Sequence, residues 1–324
     1  MIKLKYYFFA LFFLINIDLH VHAESTASNY PKEPIKILVG GVPGASSDTY
    51  ARIIAEQLGK VLGQNVIVEN KTGASGILAT NTLVSAPADG YTLELIYTPH
   101  TLSPFLFNSL SYNPVKDVTA VMMLIRSPLL LAVNSNSGAK SYDDLLKQAK
   151  DHPLNYGSAG VGSGGHLSGE LFRKNTTGSF THIPYRGAAP AAAALVGGEL
   201  DFAFISQITA KEFAQAGKLR LLATTGKARS TALPSVPTLQ ELGIKDFEFQ
   251  NWFGIIAPPK TPAPIIKKLN LALREVLRQP AMIQRLTKDG SEIVANTPEQ
   301  FAQFLIDDSE KWRQLVGPMG LQSP

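Results

Sequence analysis

The stretch Ile35-Lys36-Ile37-Leu38-Val39-Gly40-Gly41-Val42-Pro43-Gly44-Ala45-Ser46-Ser47-Asp48 decides how this chain is read. A short apolar run leads into a turn of small residues. Ile54, Leu58, Val61 and Leu62 then recur at helical spacing, and Gly63 stands where a left-handed glycine ends a helix. The idiom strand, glycine turn, helix repeats along the chain. Asn65–Val68 reads as a strand before the turn Thr72–Gly76, and Thr92–Tyr97 as a strand after Asp89-Gly90. Leu129–Val133 is the next strand, and Ser141 with Asp144 caps a helix to about Lys150. Leu154–Tyr156 runs into the turn Gly157 to Gly165, which opens a helix from His166 to about Arg173. Thr181–Pro184, Leu200–Ile205 and Leu219–Thr224 read as strands, and Pro190–Val196 as an alanine-rich helix. The end reads as mainly helical, with Ile265, Leu269, Leu273, Val276 and Leu277 on one face. Thr297, Pro298 and Gln300 open a last helix through Trp312. Strands alternating with helices imply an α/β fold with largely parallel sheets.

The chain has 324 residues, 45% apolar and 17% charged, which is globular rather than disordered composition. Basic and acidic residues nearly balance at 30 and 26, with no basic run of five, so no nucleic-acid partner is expected. Cysteine is absent, which excludes disulfides, thiolate metal sites, cysteine nucleophiles and a lipidated N-terminus. Residues 1–23 read as a secretory signal: Lys3 and Lys5, an apolar run from Tyr6 to Ile17, then Val21-His22-Ala23 before a cut at Glu24. That run is short against the roughly 20 residues that span a bilayer. A cysteine-free exported chain fits the periplasm.

Two of the turns, Pro43 to Ser47 and Gly157 to Gly165, each follow a strand and open a helix. Such helix starts carry unpaired N–H groups and the positive dipole end, and glycine lets a ligand approach the backbone. Ser47 or Asp48 is expected to cap the first helix and Ser163 the second. Nucleotide readings fail on spacing. No lysine follows either turn as a P-loop requires, and Gly160 to Gly165 contains G-x-G-x-x-G without an acidic residue near +20 to hold a ribose. Catalysis is poorly supported, since no G-x-S-x-G surrounds a serine and Ser163 with His166 lacks an orienting acid. His100, His152, His166 and His182 are not spaced as metal ligands, so neither a metal nor any other cofactor is expected. His182, Trp252 and Trp312 are expected to be structural.

Taken in order, several motifs resemble the substrate-binding proteins of tripartite tricarboxylate transporters, the Bordetella-uptake-gene family. They begin with Pro43-Gly44 and Asp48, Val68-Glu69-Asn70 with Gly73-Ala74-Ser75-Gly76, and Ala88-Asp89-Gly90-Tyr91-Thr92-Leu93. Tyr156-Gly157-Ser158 with Gly160, Gly162, Ser163 and His166 follows, then Pro184-Tyr185-Arg186-Gly187, Val236-Pro237-Thr238 and Trp252 with Gly254. The resemblance spans about residues 30–315. It implies a two-lobed type II periplasmic binding protein fold, with two mixed, mostly parallel sheets flanked by helices and a ligand cleft between the lobes. Lobe I is expected from 24–125 plus 226–324, and lobe II from 126–225, joined by two crossover strands.

The resemblance also implies capture of a small carboxylate (a di- or tricarboxylate, an acidic amino acid or an aromatic acid) and its delivery to the membrane carrier subunits of such a transporter. The ligand contacts expected are Gly44, Ala45, Ser46 and Ser47 in the first turn, and Ala74, Ser75 and Gly76 in the second. Thr98 follows. In the other lobe they are Ser158, Gly160, Gly162, Ser163 and His166, then Arg186 and Gly187, then Ser206 and Gln207. His100 either caps a helix or meets a second ligand carboxylate. This sequence departs from the family pattern at Gly40, Gly41 and Ala45, where the family has proline, an aromatic residue and glycine; a roomier wall is the expectation. The protein is expected to be a monomer and not an enzyme. A periplasmic sensor for a similar acid, feeding a receptor kinase, is the alternative; a serine hydrolase using Ser163 is weaker.

Overall fold

The computed structural model describes residues 29–107, 110–287 and 290–319, so the expected export signal lies outside the described residues. Strand β1 (Ile35–Val39) leads into helix α1 (Ser46–Leu62), which ends at Gly63 in the left-handed conformation. Then come β2 (Val66–Asn70), a single 3-10 turn at Ala74–Gly76, α2 (Ile77–Val84), β3 (Thr92–Tyr97) and α3 (Pro99–Leu106). A long strand, β4 (Thr119–Asn134), carries the chain onward. The middle runs α4 (Tyr142–Asp151), β5 (Leu154–Ser158), α5 (Gly164–Asn175), β6 (Phe180–Pro184), α6 (Ala188–Gly197), β7 (Phe202–Ser206), α7 (Gln207–Gln215) and β8 (Leu219–Thr224). The last part holds β9 (Gln250–Ala257), α8 (Ala263–Arg278), α9 (Pro280–Thr287), β10 (Glu292–Ile293) and α10 (Pro298–Met319).

The strands form one curled sheet in the order β2-β1-β3-β9-β4-β7-β5-β6, with β8 and β10 paired to β4. Two parallel triplets, β2-β1-β3 and β7-β5-β6, flank the antiparallel strands β9 and β4. β4 changes partners along its length. Thr119 to Pro128 pair with β9, and Leu129 to Asn134 with β7 and β8. β1, β3, β5 and β7 are mostly buried, whereas the outer strands β2 and β6 are only partly covered. On β1, Ile37 and Val39 join the core under α1 and α8, whereas Leu38 points to the opposite face with Ala79 and Leu83 of α2. Burial on both faces is why these strands read as unbroken apolar runs.

The sequence reading gave the end of the chain as mainly helical, and β9 corrects it. Gln250 to Ala257 form a strand at the centre of the sheet, and β4 begins ten residues before the expected Leu129. The apolar faces of α8 and α10 lie where periodicity puts them, and Trp252 and Trp312 are core residues. Both indole N–H groups donate to the buried carboxylate of Asp308, at 3.2 and 3.1 Å, and the Thr101 hydroxyl donates to the same oxygen at 2.5 Å. Thus α10 is pinned to α3 and β9.

Candidate ligand cleft

The turns that end the parallel strands all lie at their C-terminal ends, where open α/β sheets place ligands. In the first turn, α1 starts after Ala45, and neither Ser47 nor Asp48 caps it, contrary to expectation. Asp48 instead reaches back. Its carboxylate accepts the Gly44 N–H at 2.9 Å and the side-chain amide of Asn70 at 3.0 Å, and pairs with Arg52. It lies buried against solvent, yet these hydrogen bonds and the Arg52 guanidinium hold its carboxyl below the usual range despite the opposing cost of burial. Among the described residues no acceptor takes the amides of Ser46, Ser47 or Asp48.

The glycines at 40 and 41 do not make a roomier wall; they make a tighter one. A Cβ on Gly40 would stand 2.4 Å from the Gly76 Cα, and one on Gly41 would stand 2.2 Å from the Ser47 Oγ. The first turn therefore lies backbone to backbone on the second. There Ser75 holds a left-handed backbone (φ 56°), unusual for a residue with a side chain and a form of strain that clusters at functional sites. Gly76 in turn lies beside the Tyr97 hydroxyl, and Tyr97 is followed by Thr98, which precedes α3.

In the other half, Ser163 caps α5 as expected, its Oγ accepting the His166 N–H at 3.4 Å. The imidazole of His166 turns inward. It is 2% exposed, stacks on His182 with ring centroids 4.0 Å apart, and accepts the Gly162 N–H on Nδ1 at 3.1 Å. Burial, with His182 beside it, brings its pKa down to about 4. The Ser158 hydroxyl is likewise spent inside, on His182 Nε2 at 2.7 Å and the Gly160 N–H at 3.1 Å. At the start of α5 itself, the amides of Gly164 and Gly165 have no acceptor among the described residues. The hydrogen bond between Ser163 and His166 runs through the backbone N–H of His166, while its ring Nδ1 is taken up by Gly162.

The two halves meet at a residue that the sequence reading missed. Asn251 on β9 stands so close to the start of α5 that a Cβ on Gly164 would fall 2.3 Å from its Oδ1. The Thr98 hydroxyl donates to the same oxygen at 3.5 Å. Nearby, a Cβ on Gly162 would be 2.5 Å from Leu106 of α3. The first turn, the Ser75-Gly76 turn, Tyr97, Thr98, Asn251 and the glycine turn of α5 are thus linked by one run of close contacts. Arg186 is exposed and Gly187 half-buried at the start of α6. Ser206 spends its hydroxyl capping α7, and Gln207 is buried, donating to the Gly290 carbonyl at 3.2 Å. His100 neither caps a helix nor faces the crevice. It is buried inside α3, bonded through Nε2 to the Pro114 carbonyl, and burial lowers its pKa to about 4. No group of acidic and histidine residues among the described residues could hold a metal ion.

Fold and crevice together define a two-lobed α/β binding protein of the periplasmic type. The family model for the "Tripartite tricarboxylate transporter family receptor" matches residues 50–321, and the chain belongs to that family. It is 34% identical to the protein BugT of Bordetella pertussis over 304 residues, 93% of each chain. An R. palustris protein solved with adipate superposes with a TM-score of 0.83 at 30% identity, covering 90% of this chain and 98% of that one. MatC from Rhodopseudomonas palustris with bound malate gives 0.78 at 31% identity, covering 89% and 100%. The periplasmic binding protein BugD gives 0.80 at 28% identity, covering 91% and 100%.

Proposed function

We propose that this protein is an exported, periplasmic receptor that captures a small dicarboxylate or related acid in the cleft and hands it to the membrane carrier of a tripartite tricarboxylate-type transporter, without chemical change. One observation carries the reading. The helix starts at Ser46-Ser47 and Gly164-Gly165 present amides that no acceptor among the described residues takes, on turns that a run of close contacts connects. Amides at helix starts, backed by the dipole, suit a carboxylate, and each charge-assisted bond contributes about 1.5–3 kcal/mol. The adipate and malate named for two structural neighbours are acids of this class. The lobes divide as 24–125 plus 226–324 and 126–225; the partner switch of β4 at Pro128 and Leu129 supports a hinge there. The protein acts as a monomer, and Arg186 guards the rim of the cleft.

A thermal-shift and calorimetric series with adipate, malate, succinate and citrate on the chain from Glu24 tests the reading. Ligand at 100 times its dissociation constant adds about 2.7 kcal/mol of stability. A set of flat titrations overturns it. Acid binding with no transfer to the carrier points instead to a sensor.

A further inference from the structure

Packing does little to fix the tip of the first turn. Val42 is 61% exposed, Pro43 and Gly44 are exposed, and a Cβ on Gly44 (φ 82°) would meet nothing within 4 Å. A closed ring of hydrogen bonds holds it instead. Asn70 ends β2 level with Val39, the last residue of β1. Its side-chain amide donates to the Gly41 carbonyl on one side of the tip and to Asp48 Oδ1, both at 3.0 Å. Asp48 Oδ2 accepts the Gly44 N–H on the other side, at 2.9 Å. Arg52 completes the ring. Its Nε donates to both Asp48 oxygens at 3.0 Å, and its Nη2 to Asn70 Oδ1 at 3.1 Å. Every polar atom of the Asp48 and Asn70 side chains thus has a partner inside the ring.

A carboxylate here runs against simple electrostatics. Asp48 is 4% exposed and directly follows Ser46-Ser47, whose amides are offered to an anion, so its charge opposes the solute. Capping does not account for it, because the amide it takes is that of Gly44, ahead of the helix. What a buried carboxylate does well is to give several donors one common acceptor, in bonds stronger than neutral ones. The body of α1 is anchored separately, through Tyr50, Ala51, Ile53 and Ile54 in the core. The ring therefore governs the tip and not the helix.

We propose that Asp48 and Asn70 are positioning residues for solute capture: they clasp Gly41 to Gly44 so that the Ser46 and Ser47 amides stay aimed at one point of the cleft, and neither side chain touches the solute. The role rests on the carboxylate reading of the cleft. It reverses the sign that charge alone would give. An acid acting only through its charge would weaken the hold on an anion, and its removal would tighten it; removal of a clasp loosens it. Asn70 also ties the two walls together, since the chain runs on from it, with the Lys71 N–H on the Val39 carbonyl at 2.8 Å, into the turn whose Gly76 lies against Gly40.

The test is calorimetry with adipate, malate and succinate on the parent protein, Asp48→Ala, Asn70→Ala and the double variant, at a temperature where melting curves show all four folded. An acid bound by the parent should be held about tenfold more weakly, or worse, by each single variant. The double variant should be within about twofold of the weaker single one, because two members of one ring act as a unit. Amide hydrogen exchange gives a reading that needs no solute. The Gly44 N–H should exchange about tenfold faster in both single variants, while the amides of Ile54 and Leu58 in the body of α1 keep the parent rate. Asp48→Ala binding the acid as tightly as the parent, or more tightly, overturns the clasp, and so do losses that multiply in the double variant. If Asp48→Ala does not fold, Asn70→Ala decides by the same two measurements: parent-like affinity or parent-like exchange at Gly44 overturns the clasp. If the parent itself binds none of the acids, the carboxylate reading falls and the positioning role with it.

Discussion

The two helix-opening turns do similar geometric work by different means. The turn before α1 is shaped by backbone meeting backbone, Gly40 on Gly76, and by Asp48 reaching back to Gly44, and its leading amides stay unclaimed among the described residues. The turn before α5 is shaped by side chains. Ser158, Ser163 and His166 take the N–H groups of Gly160, His166 and Gly162, while at the helix start Gly164 and Gly165 stay open among the described residues. The difference teaches that a glycine-rich motif does not by itself count available donors; internal acceptors must first be subtracted.

The largest expected effect lies within the turn before α1, in what a single methyl meets. Gly40→Ala drives a Cβ into backbone and should cost about 3 kcal/mol or more in denaturant unfolding. Gly41→Ala meets only the rotatable Ser47 hydroxyl and should cost far less. A comparable cost for both would mean that the Gly40–Gly76 contact is not rigid.

Acid should come next. His166 and His100 titrate near 4 in the folded protein and near 6.5 when unfolded, so the unfolded chain binds more protons between those values. The contribution of these two histidines is therefore complete above about pH 6.5 and is lost as pH drops toward 4. Melting temperatures measured across that window should decline less steeply in His166→Gln, whose amide oxygen can still accept from Gly162. A parallel decline in the variant removes His166 from the account.

Smaller again is Gly162→Ala, which combines a left-handed backbone (φ 79°) with contact on Leu106. About 1–2 kcal/mol is expected from the backbone alone. The smallest test is the sharpest for the comparison. Ser163→Ala removes a working cap and should cost about 1 kcal/mol, while Ser47→Ala, at a helix start without a side-chain cap, should cost only a few tenths. Equal losses would show that the two helix starts are stabilised alike after all.

Much of this was legible in the sequence. β1, β3 and β8 lie where their apolar runs put them, and Gly63, Ser141, Ser163 and Thr297 end or open helices as their chemistry dictates. β9 was not, because Gln250-Asn251-Trp252-Phe253-Gly254 has neither alternation nor a helical stripe; its pairing is supplied by β3 and β4, distant in sequence. Asn251 was hidden for the same reason. The inward turn of His166 and the tightness at Gly40 depend on neighbours brought by the fold, and no local pattern announces them. Glu94 did carry a signal, a lone acid inside Thr92-Leu93-Glu94-Leu95-Ile96, although its burial, with one carboxyl oxygen unpartnered among the described residues, became visible only once its surroundings were in place.

The sharing of β4 by both halves has a practical consequence. A fragment stopped before Thr119 and rejoined at Gln250 would leave the flank of β9 bare, and a fragment begun at Leu129 would keep β7 and β8 on a stump. Unpaired strand flanks invite aggregation. Biosensors made from this scaffold should therefore keep the polypeptide whole and carry reporters on surface loops, since neither half has structural autonomy.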